Sequence, residues 1–257
     1  MLVLHDTMVL DRPDLFDRAY AGYARALFGI SVRDADVVLV PSHFTEGRLK
    51  ARWPEAPPVM VAPWPLKVSG PQPEPEPEPR HILMVGATEP HKRQVTGIAA
   101  VRIARERSGE DLLLTVLGPR GRSERTVMDA LDEADPSKQW TSRRVGVAQA
   151  ELERVYRQTW VLLQPSEMEG YGLPVGEVAS LGIPAVHSGL GALSEIAPKA
   201  VAAPGDPESY ALEICALLDR KHYVHASSAA LTAASQLTVD RFAHTIARAI
   251  SPGLGLG

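Results

Sequence analysis

Residues 161–177 read VLLQPSEMEGYGLPVGE, and this stretch decides how the chain is expected to fold. The run that ends at Gln164 predicts a short buried strand, and Pro174 suits the first turn of a helix because its missing N–H costs nothing there. Between them, Gly170 and Gly172 permit left-handed backbone and a close approach to a ligand. The stretch therefore predicts a strand, a glycine-containing loop and a helix, which is the repeating unit of an α/β fold.

The same unit recurs along the chain, because short apolar runs alternate with helical patterns. The predicted strands are Leu2–Leu4, Val37–Val40, Val59–Val61, Ile82–Val85, Leu112–Leu117, Arg144–Val147, Val161–Gln164, Ala185–His187 and Val201–Ala203. The predicted helices are Leu15–Arg33, Thr45–Arg52, Gln94–Arg107, Glu124–Glu133, Ala150–Thr159, Pro174–Leu181, Glu208–Asp219 and Asp240–Ala249. Apolar runs without strict alternation indicate strands covered on both faces, so we expect doubly wound parallel sheets.

A proline-rich segment divides the chain. Residues 71–79 alternate proline with glutamate or glutamine, which favours an extended polyproline II spacer and removes every second backbone donor. We therefore predict a first domain over 1–68, a linker over 69–80, a second domain over 81–238, and a C-terminal helix and tail over 239–257. The first domain has only three predicted strands, so we expect it to be partial.

Composition narrows the functional class. The 257 residues carry 27 Lys and Arg against 31 Asp and Glu, whereas a nucleic-acid-binding protein normally has a basic excess, so we expect no nucleic-acid partner. The single cysteine, Cys215, excludes an intrachain disulfide framework or a Cys-based zinc site. No apolar run approaches the roughly 18–20 residues that a membrane helix needs, and the first residues lack a signal-peptide pattern. We expect a cytoplasmic protein.

Candidate ligand contacts follow the predicted strands, because ligands of open α/β sheets bind beyond the carboxyl ends of the strands. Glycines and cations follow two strands of the second domain: Gly86, Lys92, Arg93, Gly118, Arg120 and Arg122. The third loop precedes a helix start whose free N–H groups around Leu173–Gly176 predict an anion site. Glu177 lies about one turn further, where a hydroxyl is its more natural partner. Together these loops predict a site for phosphate and sugar hydroxyls.

Several motifs carry a family resemblance. EGYGLPVGE, which spaces Glu169 and Glu177 eight positions apart, resembles the E-x7-E signature of the family 4, or group 1, retaining glycosyltransferases. VGATEPHKRQ around Lys92 is similar to the strand and loop VGxxEPRKN of that family. VGVAQAELERVYRQTWVLLQPS, GLGALSEIAP, AAPGDPES, LHDT and RDADVVLVPSHFT also resemble family segments. The resemblance covers most of the chain and implies the GT-B architecture of two facing Rossmann-like domains, with the C-terminal one complete and the N-terminal one partial.

The resemblance also implies roles for individual residues. Glu177 would bind the ribose hydroxyls of a nucleotide-sugar donor and Glu169 the hydroxyls of the donor sugar, while Lys92 would neutralise the leaving diphosphate. His5 would face the donor sugar across the cleft. The remaining donor-binding residues are expected to be Gly86, Gly172 and Leu173. The resemblance implies no metal and no cofactor, since the nucleotide-sugar is a substrate.

The chain departs from the family pattern at the phosphate loop. Ala87 stands where many members have arginine, and His91 stands where arginine usually precedes the lysine. Arg93, Arg120 or Arg122 are the candidates to compensate. Two other patterns are rejected as sites: Asp34-Ala35-Asp36 imitates a metal-binding pair, and Gly189-Leu190-Gly191 imitates part of a dinucleotide fingerprint. Glu195 is interpreted only as a residue that serves the start of a helix.

The predicted function is therefore transfer of a sugar, from GDP-mannose or a UDP-sugar, to a glycan, lipid or small-molecule acceptor. The alternative is a non-catalytic or partner-dependent nucleotide-sugar-binding subunit, and a more distant rival is an NAD-dependent Rossmann enzyme. The short first domain is explained by a start site assigned too late, by a fragment, or by a second chain that completes it. We expect this chain to bind donor weakly and to transfer poorly; peripheral membrane contact is a further hypothesis.

Overall fold

The computed structural model describes residues 1–66, 79–197 and 204–251. The predicted linker over 69–80 lies outside the described residues apart from its last two positions. The predicted strand Val201–Ala203 and the end of the tail, residues 252–257, also lie outside them. The proposed domain limits stay predictions.

The helices and strands of the described residues agree closely with the predicted alternation. In chain order they are β1 (Leu2–Val3), α1 (Met8–Asp11), α2 (Arg18–Arg33), β2 (Val38–Val40), α3 (His43–Arg52), β3 (Val59–Val61), β4 (Arg80–Val85), α4 (Gln94–Ser108), β5 (Leu112–Leu117), α5 (Glu124–Ala134), β6 (Thr141–Arg144), α6 (Gln149–Gln158), β7 (Val161–Gln164), α7 (Leu173–Ala179), β8 (Ala185–His187), α8 (Leu193–Ile196), α9 (Pro207–Ala216), α10 (Arg220–Ala234) and α11 (Val239–Ile250). Two 3-10 turns, Pro13–Leu15 and Pro90–Lys92, precede α2 and α4.

Five parallel strands form the larger sheet, in the order β6-β5-β4-β7-β8. Within β4, Ile82 and Met84 pack into a cluster with residues of α4, α5 and α9. Leu83 points to the other face and packs with residues of α6 and α7. Helices therefore bury both faces of this sheet, which is the reason its inner strands are largely continuous apolar runs.

The smaller sheet has three parallel strands, β1-β2-β3. Val38 and Val40 pack on one face with Val32 of α2 and Leu49 of α3. The opposite face is covered from the far end of the chain, because Leu39 packs against Ala249 of α11. The C-terminal helix thus belongs by its contacts to the first sheet, and it gives that short sheet its second layer.

One expected strand lies at different residues, and one helix, α10, was not expected. The strand expected at Arg144–Val147 is Thr141–Arg144, an edge strand of polar, half-buried residues that carries no apolar signal. Its start is set by Asp135, which accepts the N–H groups of Trp140 and Thr141 at 2.7 and 2.8 Å. The sequence also gave no sign of α10, because that helix buries only Tyr223, Ala230 and Ala234 and so lacks an apolar stripe.

The loops that follow β4 and β5 touch through two glycines. Gly118 has φ +141°, and a Cβ there would lie 2.3 Å from the carbonyl oxygen of Gly86. Gly86 itself has φ +139°. The absence of a side chain at Gly118 lets these loops approach at the edge of the sheet where a ligand is expected to bind.

We predict that Gly118→Ala lowers the free energy of unfolding by more than about 3 kcal/mol, because backbone strain and overlap with a backbone carbonyl add together. Gly109→Ala is the matched control, since Gly109 also has positive φ but has nothing within 4 Å of the added Cβ. It should cost about 1 kcal/mol. Urea denaturation followed by circular dichroism measures both variants, and equal losses would contradict the close approach of the two loops.

Candidate functional site

A cleft of about 700 Å³ lies between the two sheets and is lined from both sides. Its lining includes His5, Asp6 and Trp64 from the first part of the chain, and Lys92, Glu169, Gly170, Gly172, Leu173 and Pro174 from the second. The loops after β4 and β7 provide the second set, so these side chains lie at the carboxyl ends of adjacent strands. Five of the predicted site residues are therefore brought to one cleft: His5, Lys92, Glu169, Gly172 and Leu173.

A mostly buried ion pair occupies the second-sheet side of the cleft. Lys92 Nζ donates to Glu169 Oε1 at 2.6 Å, and the two side chains are only 18% and 10% exposed. Gln164 Nε2 donates to the same carboxylate oxygen at 2.7 Å. Gly86 lies beneath the lysine, since a Cβ on it would be 3.5 Å from Lys92 Cε. Lys92 and Glu169 are therefore held together where a diphosphate and a sugar are expected.

His5 reaches the cleft from the loop that follows β1. Its ring stacks obliquely on Trp64, with ring centroids 5.1 Å apart. Its backbone is close to the loop that carries Glu169, because a Cβ on Gly170 would lie 2.9 Å from the His5 carbonyl oxygen and 2.5 Å from Asp6 Cβ. Gly170 is thus a point of close approach between the two sheets, beside Glu169 and His5.

Glu177 and Gly86 are near the cleft but do not line it. Glu177 accepts a hydrogen bond of 2.7 Å from the hydroxyl of Tyr156, a buried residue of α6. Burial raises the pKa of Glu177, and the Tyr156 hydrogen bond opposes that rise. Burial and the neighbouring carboxylate raise the pKa of Tyr156 as well, so its hydroxyl stays a donor. One Glu177 oxygen is therefore held by the protein.

The predicted anion site at the start of α7 is smaller than expected. Gly172 adopts φ +93° and its carbonyl oxygen accepts the N–H groups of Val175 and Gly176 at 3.0 and 3.3 Å. Pro174 has no N–H. Within residues 173–176 this leaves the N–H of Leu173 for a ligand, because the tight turn at Gly172 already uses the other donors.

The arginines expected to compensate for Ala87 are engaged elsewhere. Arg122 Nε donates to Glu89 at 2.9 Å, and Arg120, whose side chain is 76% exposed, lies 3.9 Å from Glu124. Arg93 pairs with Glu167 in the loop after β7. None of these three arginines lines the cleft.

Glu167 joins the two parts of the chain. Besides Arg93, it pairs with Arg12 Nη1 at 3.3 Å, and Arg12 precedes α2 in the first part of the chain. Arg12 itself also bonds Asp14 at 2.8 Å. A single carboxylate therefore lies between two guanidinium groups from opposite sides, beside the loop that carries Glu169.

Three residues of the site escaped sequence reasoning. Gln164 holds Glu169, Tyr156 holds Glu177, and Trp64 stacks on His5. Gln164 and Tyr156 stand within a segment that resembles the family, but each looks like part of a strand or an amphipathic helix. A polar residue at the end of an otherwise apolar strand, as at Gln164, is the signal that could have identified one of them.

His91 is buried beside the ion pair. Its Nδ1 has no hydrogen-bond partner among the described residues, although its backbone carbonyl accepts the Glu167 N–H at 2.8 Å. Burial, and then the charge of Lys92, lower the pKa of the imidazole. An imidazole with an unsatisfied nitrogen and a lowered pKa therefore stands at the position where the family pattern has a permanently charged arginine.

The rejected metal pair behaves as a pair of surface groups. Asp34 follows the end of α2, and the Asp36 side chain is fully exposed, 3.9 Å from the N-terminal amine. In the part of the chain that the structure describes, no three His, Cys, Asp or Glu side chains are grouped as a metal site requires. The described helices also include none that is long and apolar enough to cross a membrane.

Comparison with known proteins places this chain in a family. A sequence profile described as "Family 4 Glycosyltransferase in conflict systems" matches residues 42–205. That range contains Lys92, Glu169 and Glu177. No curated protein sequence matches the chain significantly.

Solved structures share the fold at low sequence identity. The sucrose-phosphate synthase of Thermosynechococcus elongatus superposes with a TM-score of 0.77 at 20% identity, covering 100% of this chain and 68% of its own. HepE of Anabaena, solved with UDP and glucose, gives 0.78 at 17% identity, with coverages of 98% and 71%. The pneumococcal O-GlcNAc transferase GtfA, solved with UDP and GlcNAc, gives 0.73 at 16% identity, with coverages of 91% and 48%. These likenesses confirm the predicted GT-B type of α/β fold; the chain spans about half of GtfA.

We predict that the free energy of unfolding decreases as the pH falls below about 6.5, because His91 binds its proton more readily in the unfolded chain than in the folded one. His91→Gln should make this slope shallower by at most about 1.4 kcal/mol per pH unit. His244→Gln, at an exposed position of α11, is the control. Urea denaturation at pH 7.5, 6.5 and 5.5 measures the slopes, and an unchanged slope in His91→Gln would contradict the assignment.

Proposed function

Because the chain belongs to the family 4 glycosyltransferases in conflict systems, we propose that it moves a sugar from a nucleotide-diphosphate sugar to an acceptor with retention of anomeric configuration. One observation carries the proposal: the buried Lys92–Glu169 pair of the second sheet shares a cleft with His5 of the first. A cation for the diphosphate and a carboxylate for the sugar hydroxyls are thereby placed side by side.

The proposed roles follow from the chemistry of each group. Lys92 exchanges its bond with Glu169 for the diphosphate and neutralises the charge that develops as this group leaves. Glu169 then accepts hydrogen bonds from the donor sugar, each contributing about 1.5–3 kcal/mol in a closed site. Tyr156 holds Glu177 through Oε2, so Oε1 accepts a ribose hydroxyl. The N–H of Leu173, freed by the turn at Gly172, and the space above Gly86 complete the donor site.

Retention requires no protein nucleophile in this proposal. The acceptor hydroxyl attacks the anomeric carbon from the face that the diphosphate leaves, and the leaving phosphate oxygen takes the hydroxyl proton. His5, held against Trp64, faces the sugar from the first sheet. We propose that the reaction needs no metal and takes place in the cytoplasm.

The donor is proposed to be a UDP-sugar or GDP-mannose. Two structures of the same fold, HepE and GtfA, are solved with UDP, which favours uridine, whereas the Glu-Pro-x-Lys loop that ends at Lys92 favours a mannosyl donor. The acceptor class, a glycan, a lipid or a small molecule, is set by the first sheet.

A partner-dependent nucleotide-sugar-binding subunit is the second candidate function. The helix α2 exposes Tyr23, Leu27 and Ile30 at helical spacing, beside Tyr20, which lines the cleft, and β1 is an edge strand of its sheet. A second chain that adds to β1 and covers α2 would complete the acceptor side. One structure with this fold is a GtfA/B complex. A membrane surface is the rival occupant of the same face.

We predict that one member of a panel of UDP-, GDP- and ADP-sugars raises the melting temperature by roughly 5–10 °C at about 100 times its Kd. Glu177→Ala and Lys92→Met should reduce this shift, because they remove the ribose and diphosphate contacts. Arg120→Gln, an exposed arginine outside the cleft, is the control and should keep it. A larger shift with NAD than with any sugar nucleotide would contradict the proposal.

Catalysis by the chain separates the two candidate functions. We expect the purified 257-residue chain to hydrolyse the stabilising donor slowly and to transfer its sugar poorly, because β1 leaves the acceptor-side sheet with an uncovered edge. Release of free nucleotide, measured with and without added oligosaccharides, tests this expectation. Robust turnover without a second subunit would exclude the partner-dependent candidate.

A further inference from the structure

Glu195 lies on α8, a short helix beside the larger sheet, but its carboxylate reaches the smaller one. Oε2 accepts the N–H of His43 at 2.8 Å and Oε1 accepts the N–H of Phe44 at 2.7 Å. These two residues begin α3. The first N–H groups of a helix have no partner within the helix and carry the positive end of its dipole, so a carboxylate is the favourable acceptor. Glu195 therefore serves the start of a helix of the other sheet.

The same helix start also holds the loop of the predicted catalytic glutamate. The hydroxyls of Ser42 and Thr45 lie 2.7 and 3.2 Å from the carbonyl oxygen of Gly170, to which both donate. Ser42 and Thr45 are buried. Gly170 directly follows Glu169. The start of α3 is therefore hydrogen-bonded both to Glu195 of α8 and to the Glu169 loop.

A third contact closes this set within the second part of the chain. The N–H of Ala192 donates to the carbonyl oxygen of Glu169 at 2.9 Å. Gly191, with φ +67°, packs so closely that a Cβ on it would lie 2.4 Å from that oxygen. The segment that leads into α8 is therefore pressed against the Glu169 backbone, and Glu195 extends from this segment to α3.

We infer that Glu195 is a positioning residue that fixes the first sheet against the Glu169 loop and so sets His5 opposite the Lys92–Glu169 pair. Glu195 itself does not line the cleft. It acts through two backbone N–H groups, so its loss loosens the relation between the sheets, which the Ser42 and Thr45 bonds to Gly170 and the Arg12–Glu167 pair still hold, while it leaves the donor-side groups in place. The consequence for sugar transfer rests on the proposed function, whereas the fixed relation between the sheets does not.

The inference is tested by the distance between the two parts of the chain. Spin labels are placed at Tyr23→Cys on α2 and Arg125→Cys on α5, both highly exposed positions, in a Cys215→Ser background. Pulsed electron resonance gives the distribution of label distances. We expect a single narrow distribution with Glu195 present and a width at least about twofold larger in Glu195→Ala, because two domains that lose one of their fixing contacts move more relative to each other.

Glu46→Gln is the matched control. Glu46 lies in the first turn of the same helix, but its carboxylate bonds only His43 and Lys50 of that helix. The Glu46→Gln substitution removes a carboxylate charge at the same helix end and should leave the distribution of label distances narrow. Glu195→Gln keeps the size of the side chain and one acceptor oxygen, so it should give an intermediate width and serves if the alanine variant does not fold.

UDP affinity distinguishes failure of this inference from failure of the proposed function. If the wild-type chain binds UDP, Glu195→Ala should keep its Kd within about twofold, because the nucleotide contacts lie on the second sheet alone. If UDP does not bind, the donor proposal is weakened and the distance measurement still decides the role of Glu195. An unchanged distribution in Glu195→Ala, or an equal broadening in Glu46→Gln, would overturn the inference.

Discussion

A buried ion pair between two adjacent strand ends is the constraint on which the site depends. Lys92 and Glu169 follow β4 and β7, and their 2.6 Å contact is largely withdrawn from water. Removing two charges from water is costly unless further hydrogen bonds satisfy them, and Gln164 provides one. Gly86 leaves room for the Lys92 side chain to pack against its backbone. Gly170 lets the first sheet approach the Glu169 loop. When an anionic ligand takes the place of Glu169 on Lys92, Gln164 remains as a hydrogen-bond donor to the Glu169 carboxylate.

The sequence predicted the alternation of the fold well because parallel strands buried on both faces are continuous apolar runs. Leu112–Leu117 and Val161–Gln164 are found at their predicted bounds. The prediction failed where an element is not marked by an apolar pattern. The edge strand Thr141–Arg144 is polar, and α10 packs through alanines and one tyrosine. The return of α11 to the first sheet could not be predicted either, because nothing local in its sequence says which of two sheets its apolar face will cover.

The meeting of candidate residues in one cleft was predictable where a motif fixes both residue type and spacing, and their roles stay predictions. His5, Lys92 and Glu169 meet in one cleft as expected, and Glu177 lies nearby on α7, held by a tyrosine hydroxyl. Partners that act through tertiary contacts were not predictable. In the sequence, Glu195 looks like a residue that serves only its own helix. Its carboxylate in fact accepts N–H groups about 150 positions earlier in the chain, and no local pattern indicates this contact. The number of free donors near Leu173 was overestimated because the turn geometry at Gly172 is invisible in residue types alone.

Two kinds of bond join the two parts of the chain, and they differ in how strongly they depend on ionic strength. The contact of Arg12 with Glu167 joins charges that are partly exposed, and salt weakens such attraction over a screening length of about 8 Å at 0.15 M. The bonds from Ser42 and Thr45 to Gly170 are neutral and buried, so dissolved ions have little effect on them. A saline solution therefore weakens the contact of Arg12 with Glu167 and leaves the bonds of Ser42 and Thr45 to Gly170 largely unchanged.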